Sequence, residues 1–288
     1  MINYSIIIPH KNCPELLKRC IDSIPEREDV QIIIVDDNSD ADKKPSSKRE
    51  NVEVVLLDSD QAKGAGRARN VGLELAKGKW LLFADADDYY NSGFLGVLDK
   101  YVNSNYDVVY FNFDFKDGKT GEDLPALRFK KYFDDYNGSR ESRDQIKFHH
   151  NVPWTKMVCN DYVKQHSFLF EETLNGNDIM FSMMLGYFTD NIAVEKSPLY
   201  VYIRNTNSLV TKKYSNASAL CKLTHTIQQN RFYDFIGHSE WEKPAIQTFF
   251  YFLKKLGGSF AFYFAHNSWN IYVNRKAWIS LCLKSKDS

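Results

Sequence analysis

Residues 80–88 read Trp80-Leu81-Leu82-Phe83-Ala84-Asp85-Ala86-Asp87-Asp88. An apolar run is followed by three carboxylates within four positions, which is the pattern of a buried strand that ends in a polar cluster. Carboxylates this close raise one another's pKa unless a cation or strong hydrogen-bond donors compensate. Ligands bind at the carboxyl ends of the strands in an open α/β sheet, so a hard divalent cation, Mn²⁺ or Mg²⁺, is expected to bridge protein and substrate here. The alternative interpretation is that Asp87 or Asp88 caps the next helix.

Short β-branched runs and longer amphipathic stretches alternate on both sides of this segment. The short runs predict strands, buried on both faces, over residues 4–8, 31–35, 52–57 and 79–84. Apolar residues at helical spacing predict helices over residues 14–24, 66–77 and 93–102, and a further strand is predicted over residues 107–113. This alternation is typical of an α/β fold, Rossmann-like, with a mostly parallel sheet flanked by helices.

The alternation ends near residue 116. Residues 129–150 are charged and aromatic without a clear period, which predicts a long loop or short helices. Helices are predicted again over residues 161–166 and 179–188, and a hairpin-like pair of strands over residues 191–195 and 199–204. We therefore expect an α/β domain in two halves, 1–115 and 116–214, followed by a helical C-terminal appendage, 215–288.

The composition excludes several classes of protein. Of 288 residues, 43% are hydrophobic and 26% are charged, which rules out a disordered or collagen-like chain. The 37 basic residues balance 37 acidic ones, so the net charge gives no indication of nucleic-acid binding. Five cysteines without a C-x-x-C pair indicate thiols in a reducing compartment. The apolar run at residues 6–8 is too short for a signal peptide, and no stretch reaches the ~18 apolar residues of a membrane span.

The C-terminal residues 241–288 have a composition of their own. They hold seven Lys or Arg against two acidic residues, and twelve aromatic residues that include Trp269, Tyr272 and Trp278. Aromatic and basic residues in helical stretches are typical of a helix that lies at a membrane surface. We therefore expect peripheral contact with an anionic membrane. The alternative is that these aromatic side chains pack on the core or on a second copy of the chain, and the oligomeric state stays open.

Two further polar segments are candidates for ligand binding. Asp36 and Asp37 follow the second predicted strand, where a carboxylate can accept a hydrogen bond from a ribose hydroxyl or a base N–H, although these residues also favour a turn. Arg67 and Arg69 lie near the start of the second predicted helix. Cations are unfavourable at a helix N-terminus, so contacts to an anion or a base explain these arginines better than the helix dipole does, unless they are simply exposed to solvent.

Four short motifs follow one another in the first 115 residues. They are Ile6-Ile7-Ile8-Pro9, Asp36-Asp37-Asn38-Ser39, Ala68-Arg69-Asn70-Val71-Gly72 and Asp85-Ala86-Asp87-Asp88. In this order they resemble the apolar first strand, the Asp-Asp-x-Ser motif, the Ala-Arg-Asn-x-Gly segment and the Asp-x-Asp-Asp signature of the family 2 glycosyltransferases, which have the GT-A fold. Any one motif is weak, whereas four in register are specific.

Motifs further along the chain resemble the same family. Pro153-Trp154-Thr155-Lys156 resembles its Trp-x-Lys segment, and Gly176-Asn177-Asp178 resembles its Glu-Asp segment with Asn177 where Glu is usual. By this resemblance Asp178 is the catalytic base, and the change at position 177 affects the support of that base. Residues 202–209 resemble the tyrosine-arginine loop, which implies that Arg204 lies near the diphosphate or the acceptor.

The resemblance implies an inverting enzyme that moves a hexosyl or N-acetylhexosaminyl group from a nucleotide sugar, with UDP expected, to a hydroxyl of a lipid-linked or cell-envelope glycan. It implies a divalent metal, Mn²⁺ or Mg²⁺, on Asp87, donor binding by residues 1–115 and an acceptor side in residues 116–214. The expected location is the cytoplasm, with peripheral attachment at the inner face of the cell membrane. Residues expected to bind the nucleotide sugar are Pro9, Lys11, Asp36, Asp37, Arg67, Arg69, Asp85, Ala86, Trp154 and Arg204.

Two other functions agree with parts of the sequence. A haloacid dehalogenase-like phosphotransferase also uses a strand that ends in Asp-x-Asp, but here Asp88-Tyr89 stands where that family has Thr or Val, and the motif is far from the N-terminus. A non-catalytic nucleotide-sugar-binding protein is the second alternative, because Asn177 replaces the usual Glu. Assays of phosphate release and of donor turnover distinguish the three functions.

Overall fold

The computed structural model describes residues 1–125, 128–205 and 214–267. These residues form two compact units. The first unit contains the described residues of Met1–Glu172 and Asn177–Ser208, and the second contains those of Thr173–Gly176 and Leu209–Ser288. The division of the α/β domain at residue 115 stays a prediction.

The first unit is built on one sheet, which has eight strands among the described residues. In chain order the strands are β1 Tyr4–His10, β2 Val30–Asp36, β3 Val52–Leu56, β4 Trp80–Phe83, β5 Tyr89–Tyr90, β6 Val108–Asp117, β7 Lys156–Cys159 and β8 Ile192–Arg204. Their order in the sheet is β3-β2-β1-β4-β7-β6-β8-β5. The pairs β3–β2, β2–β1, β1–β4 and β6–β8 are parallel, and the remaining pairs are antiparallel. The predicted α/β fold with a mostly parallel sheet is confirmed.

The central strands are buried because β-branched side chains pack well on a sheet that is covered on both faces. Ile7 of β1 lies opposite Ile33 of β2 and Phe83 of β4, and none of the three is more than 1% exposed. The parallel register brings the carboxyl ends of these three strands to one edge of the sheet. The prediction for β3 is wrong in one respect: β3 is an edge strand and is therefore half-buried rather than buried on both faces.

Some helices cover the sheet of the first unit, and the last two form the second unit. Among the described residues they are α1 Pro14–Asp22, α2 Ala65–Leu75, α3 Phe94–Leu98, α4 Lys131–Asp134, α5 Arg140–His149, α6 Asn160–Gln165, α7 Ile179–Phe188, α8 Asn216–Phe235 and α9 Ala245–Leu256. α1 begins with Pro14, whose fixed φ suits the first turn of a helix. The helix α3 is shorter than predicted and continues as a 3₁₀ turn, Asp99–Tyr101.

Small and polar residues allow α2 to pack closely on its neighbours. A Cβ atom at Gly66 would collide with the carbonyl oxygen of Glu171, and one at Gly72 would collide with the side chain of Ile7. Asn70 donates from Nδ2 to the carbonyl oxygen of Phe170 (3.0 Å) and accepts from the Phe170 N–H (2.8 Å). The Ala-Arg-Asn-x-Gly motif is therefore a packing interface that also positions the arginine within it.

The hairpin predicted over residues 191–204 is wrong. One strand, β8, pairs in parallel with β6 along its length. The register slips between Glu195 and Pro198, which lie opposite adjacent residues of β6. Pro198 has no N–H to donate to the ladder, so the turn-like sequence marks an irregularity within a strand rather than the end of one.

The second unit is helical. The helix α8 begins after Ser215, which forms a reciprocal capping pair with Ser218. The buried core of this unit comprises Ala219, Leu220, Leu223, Phe252 and Phe260. No helix of the described ranges is long and apolar enough to cross a membrane. The predictions for Trp269, Tyr272 and Trp278 lie outside the described residues.

Candidate active site

The three carboxylates after β4 lie in a tight turn and have different environments. The Asp88 N–H donates to the carbonyl oxygen of Asp85 (3.0 Å), so the segment is not extended and its side chains do not alternate as in a strand. Asp88 is 1% exposed, whereas Asp85 and Asp87 are partly exposed. The next helix begins at Phe94 after Gly93, so neither Asp87 nor Asp88 caps it.

Asp88 is bound by β8. Its Oδ2 accepts from the hydroxyl of Tyr200 (2.9 Å), and its Oδ1 accepts from the Ile203 N–H (2.7 Å). The Tyr200 oxygen in turn accepts from the Asp85 N–H (2.9 Å). Burial, and after it the charges of Asp87 and Asp85, raise the pKa of Asp88 well above its usual range. Asp88 therefore anchors the turn to β8. Asp85 and Asp87 are the carboxylates of this turn that remain available to a ligand.

Arg69 connects Asp85 to the residues that precede α7. Its Nη2 donates to Oδ1 of Asp85 (2.5 Å), and its Nη1 donates to Oδ1 of Asn177 (2.8 Å). The guanidinium carbon lies 5.4 Å from the ring centre of Phe170. Arg69 is only 5% exposed, so its charge is balanced by groups of the protein. A direct contact of Arg69 with the nucleotide stays a prediction.

The environment of Asp87 suits a side chain that coordinates a cation. Its Oδ2 accepts from Nδ2 of Asn205 (2.9 Å), and its carbonyl oxygen accepts from Nη2 of Arg19 (2.5 Å). Burial and the charge of Asp85 raise the pKa of Asp87. A divalent cation stabilises a carboxylate in this position, and carboxylate oxygens are ligands that Mg²⁺ and Mn²⁺ prefer. Among the described residues no cluster of three His, Cys, Asp or Glu could hold a metal alone, so substrate oxygens would have to complete its coordination.

The two carboxylates that follow β2 have different partners. Asp36 is buried and accepts from Nδ1 of His10 (2.7 Å) and from the N–H of Ser39 (2.9 Å). Desolvation by burial opposes ionisation of Asp36, but the hydrogen bonds from Ser39 and His10 outweigh it and lower the pKa. Asp37 accepts from Nζ of Lys11 (3.1 Å) and from the Gly64 N–H (2.9 Å). Asp36 therefore stabilises the turn, while Lys11, whose side chain is 55% exposed, is accessible to a ligand.

Arg67 and Arg204 are partly exposed cations with surface partners. Nη1 of Arg67 lies 3.8 Å from Oε1 of Glu172. Nη2 of Arg204 lies 2.7 Å from Oδ2 of Asp117, and the hydrogen bond from Arg204, with those from two backbone N–H groups, lowers the pKa of Asp117 to about 2. Solvent-exposed pairs of this kind contribute little stability, so either arginine can exchange its partner for an anionic ligand.

Trp154 and Ala86 are interior residues. Trp154 is 4% exposed, and its ring stacks on Tyr200 (4.9 Å between centroids) and on Tyr202 (5.4 Å). Ala86 is 6% exposed. Tyr202 is partly exposed and is the member of this stack that solvent reaches. Contacts of Trp154 and Ala86, and of half-buried Pro9 in β1, with a nucleotide sugar stay predictions.

Asp178 directly precedes α7, and its carbonyl oxygen accepts from the Ser182 N–H (3.0 Å). No side chain of the described residues donates a hydrogen bond to its carboxylate, which has its own N–H as a donor. Burial raises the pKa of Asp178, the charges of Arg69 and Lys156 lower it, and the charge of Asp85 raises it. A carboxylate with a raised pKa and a free lone pair has the properties of a general base.

Some residues that hold this site together have no local sequence signal. Tyr200 and Asn205 lie 112 and 118 residues from the acids that they bind. Arg19 reaches the carbonyl oxygen of Asp87 from α1. His10 is different, because β1 and β2 run parallel and their register places His10 opposite Asp36. Alignment of the two predicted strands at their polar ends could have identified that pair.

The sequence profile of glycosyl transferase family 2 matches residues 5–166. The match covers more than half of the chain, and the chain belongs to this family. The predicted family is confirmed, and the haloacid dehalogenase-like alternative is set aside. Enzymes of this family commonly use a divalent metal.

Curated relatives and solved structures agree with this family. The chain is 39% identical to the poly(ribitol-phosphate) beta-glucosyltransferase of Bacillus spizizenii over 136 residues. This alignment covers 44% of this chain and 21% of that protein. It is 33% identical over 118 residues to the GalNAc(5)-diNAcBac-PP-undecaprenol beta-1,3-glucosyltransferase of Campylobacter jejuni, 39% of this chain and 38% of that protein. The alignment thus spans less than half of either relative.

The crystal structure of Staphylococcus aureus TarS 1–349 in complex with UDP-GlcNAc has a similar fold. It superposes with a TM-score of 0.58 at 20% identity and covers 78% of this chain and 67% of that chain. At this identity the likeness shows the fold alone, and the predicted GT-A fold is confirmed.

Proposed function

We propose that this protein is an inverting glycosyltransferase that moves a hexosyl or N-acetylhexosaminyl group from a UDP-sugar to a hydroxyl of a lipid-linked or cell-envelope glycan. The carboxylate of Asp178 carries the proposal, because burial raises its pKa and no described side chain donates a hydrogen bond to it. The UDP-GlcNAc bound to TarS supports a UDP-sugar donor. The acceptor class is supported by one relative named for poly(ribitol-phosphate) and one named for an undecaprenol-linked glycan.

The donor is proposed to lie at the edge where β1, β2 and β4 end. Uridine packs against Pro9, Lys11 and Asp37, of which Lys11 is the exposed cation. Asp85 lies near the ribose, and Arg69 holds the Asp85 carboxylate in place through their ion pair. This arrangement uses Arg69 as a support for Asp85 rather than as a free donor to the base.

Asp87 is proposed to hold Mn²⁺ or Mg²⁺ together with oxygens of the diphosphate. A cation bound there supplies Lewis acidity that offsets the negative charge developing on the departing diphosphate. Asn205 orients the Asp87 side chain, and Arg19 orients its backbone. The raised pKa of Asp87 supports this role, because a carboxylate that is costly to ionise alone gains most from a cation.

Asp178 removes the proton of the acceptor hydroxyl as the hydroxyl oxygen attacks the anomeric carbon. The new bond between that oxygen and the anomeric carbon forms while the bond from the anomeric carbon to the diphosphate breaks, and the bonding electron pair leaves with UDP. The proton ends on the Asp178 carboxylate. One base is sufficient for this single displacement with inversion, whereas double displacement needs a nucleophilic carboxylate as well.

Transfer is measured with a panel of UDP-sugars, a divalent metal and glycan acceptors. We expect Asp178→Asn to lower kcat by about 10²- to 10⁴-fold, with UDP-sugar affinity in calorimetry nearly unchanged. Asp161→Asn, which changes an exposed carboxylate in the first turn of α6, is the matched control and should keep wild-type activity. Wild-type transfer by Asp178→Asn removes Asp178 from this role. UDP-sugar binding by the wild type without turnover on any acceptor favours the non-catalytic alternative.

We further propose that the protein attaches peripherally to the inner face of the cell membrane. On α9 the apolar side chains of Ile246, Phe250 and Tyr251 are each more than half exposed, and Lys254 and Lys255 follow on the same exposed side. Apolar side chains next to lysines suit the surface of an anionic bilayer, where each lysine contributes about 1 kcal/mol of attraction. This supports a cytoplasmic enzyme that meets a lipid-linked acceptor at the membrane.

A further inference from the structure

Lys156 is a fully buried cation that forms no ion pair with a carboxylate of the described residues. It begins β7 and is 0% exposed. Its Nζ donates to the carbonyl oxygens of His150 (2.8 Å) and Val152 and lies 3.5 Å from Oγ of Ser182. These oxygens replace water around the ammonium, but a buried charge without a counter-ion remains unfavourable and calls for a physical reason.

The hydrogen bonds of Lys156 join two segments of the candidate active site. Residues 150–155 carry Trp154, whose ring stacks on Tyr200 and Tyr202. Ser182 lies in the first turn of α7, and its N–H donates to the carbonyl oxygen of Asp178 (3.0 Å). The ammonium group therefore holds both the aromatic stack and the start of the helix that follows the proposed base.

The charge of Lys156 is one of three side-chain charges that act on Asp178. The charged groups that face Asp178 are Arg69 from α2, Asp85 after β4 and Lys156 from β7. Arg69 is already paired with Asp85, whereas Lys156 has no carboxylate of its own. Burial lowers the pKa of Lys156 to about 7, and the charge of Asp178 opposes that shift.

The other titratable groups around Lys156 are neutral. Burial and then the charge of Lys156 hold the pKa of His150 well below its usual range. The ring centre of Tyr110 lies 5.4 Å from Nζ, and burial raises the pKa of that hydroxyl. Asp178 is thus the one charged group that the ammonium faces among the described residues.

We propose that Lys156 is a positioning residue for transfer: its ammonium fixes residues 150–155 against the start of α7, the helix that Asp178 directly precedes. Its charge is also one of those that act on the Asp178 carboxylate. This role rests on the proposed function of Asp178 as the base. The role explains why this charge is buried. Below neutral pH the ammonium of Lys156 is a neighbouring cation that favours the ionised form of the Asp178 carboxylate.

Lys156→Met tests the role, because it keeps the length of the side chain and removes the charge. The acid limb of the pH profile of kcat/KM is expected to move to higher pH by about one unit, since the Asp178 carboxylate loses a neighbouring cation. We also expect kcat to fall about tenfold or more with little change in the KM of the donor. Lys156→Arg keeps the charge and should retain the wild-type acid limb.

Lys147→Met is the matched control. Lys147 is also a buried lysine, 4% exposed, but its Nζ pairs with Oδ1 of Asp190 (2.6 Å) on the far end of α7 from Asp178. Both variants should lower the melting temperature, whereas Lys147→Met should leave the acid limb in place. If the role of Lys156 were purely structural, Lys156→Met and Lys147→Met would both lower the melting temperature and both leave the acid limb of kcat/KM in place.

An unmoved acid limb in folded Lys156→Met overturns the role of Lys156 and leaves the assignment of Asp178 intact. If Lys156→Met does not fold, as judged by circular dichroism, Ser182→Ala and Lys156→Arg replace it. Ser182→Ala must then lower kcat at wild-type donor KM, and Lys156→Arg must keep the acid limb; failure of either result overturns the proposal. Transfer by Asp178→Asn, in contrast, defeats the proposed function itself.

Discussion

The guanidinium of Arg69 and the carboxylate of Asp85 form an ion pair with 2.5 Å between Nη2 and Oδ1. Arg69 comes from α2 and Asp85 from the turn after β4, so the pair joins two separate motifs. The same guanidinium also binds the amide oxygen of Asn177. A carboxylate at position 177 would compete with Asp85 for this cation, and the neutral amide does not.

Asn177→Glu is expected to raise the pKa of Asp178. The new carboxylate adds a negative charge beside the proposed base and draws Arg69 away from Asp85, and both changes disfavour ionisation of Asp178. Because the base must be ionised, the acid limb of kcat/KM moves to higher pH, which is measured between pH 5 and 8 at saturating metal. Asn177→Gln is the neutral control and should keep the wild-type limb. Identical profiles for the two variants contradict the prediction.

Asp87→Asn is expected to weaken metal activation. The amide can keep the contact with Asn205 but supplies no negative charge to a cation, so kcat should fall about 10²-fold and half-maximal activation should need more Mn²⁺. The measurement is a Mn²⁺ titration of transfer. Asp114→Asn is the matched control, because Asp114 is also partly exposed and accepts from an asparagine, Asn91 (2.8 Å). An unchanged Mn²⁺ dependence in Asp87→Asn argues for another ligand.

Asp88→Ala is expected to destabilise the fold more than Asp88→Asn. The alanine variant leaves the buried Tyr200 hydroxyl and the Ile203 N–H without their acceptor, which should lower the free energy of unfolding by about 2–4 kcal/mol. An asparagine can still accept from the Ile203 N–H and should cost less than about half of that. Urea denaturation measures both variants. Equal losses would mean that the hydrogen bonds of Asp88 are not what holds the turn.

Ile246→Ser combined with Phe250→Ser is expected to reduce binding to anionic vesicles. Both side chains are more than half exposed on α9, and loss of their insertion should lower the partition coefficient by about tenfold or more in a sedimentation assay. Leu169→Ser, which changes an exposed leucine of the first unit, is the control and should bind normally.

Deletion of residues 241–288 gives the stricter version of the vesicle test. Unchanged partition of the truncated chain contradicts membrane attachment through this region. Loss of a concentration-dependent dimer in the Ile246→Ser, Phe250→Ser variant, with vesicle binding unchanged, would instead identify the exposed side of α9 as an interface between two copies.

Local sequence patterns were sufficient for the longer elements of the first hundred residues, but the short strands β5 and β7 were not predicted. The strands β1, β2 and β4 begin and end within two residues of the prediction, because continuous β-branched and apolar runs carry their own signal. The long strand β8 was divided in error at Pro198, since a proline inside a strand looks like a turn unless the partner strand is known. Residues 129–150 contain the short helices α4 and α5, in agreement with one of the two expectations.

The sequence by itself determined the main strands and helices of the first hundred residues and the order of the motifs, and with it the family, because hydrophobic period and motif spacing are properties of neighbouring residues. Only the tertiary structure decided that Asp88 is bound to β8 while Asp87 is partly exposed, that Arg69 is bound to Asp85, and that Lys156 is buried with its ammonium bonded to two backbone carbonyl oxygens. These pairings join residues as far apart as 115 positions, and their strength comes from burial and from charge in a dry interior, which no stretch of sequence reports by itself.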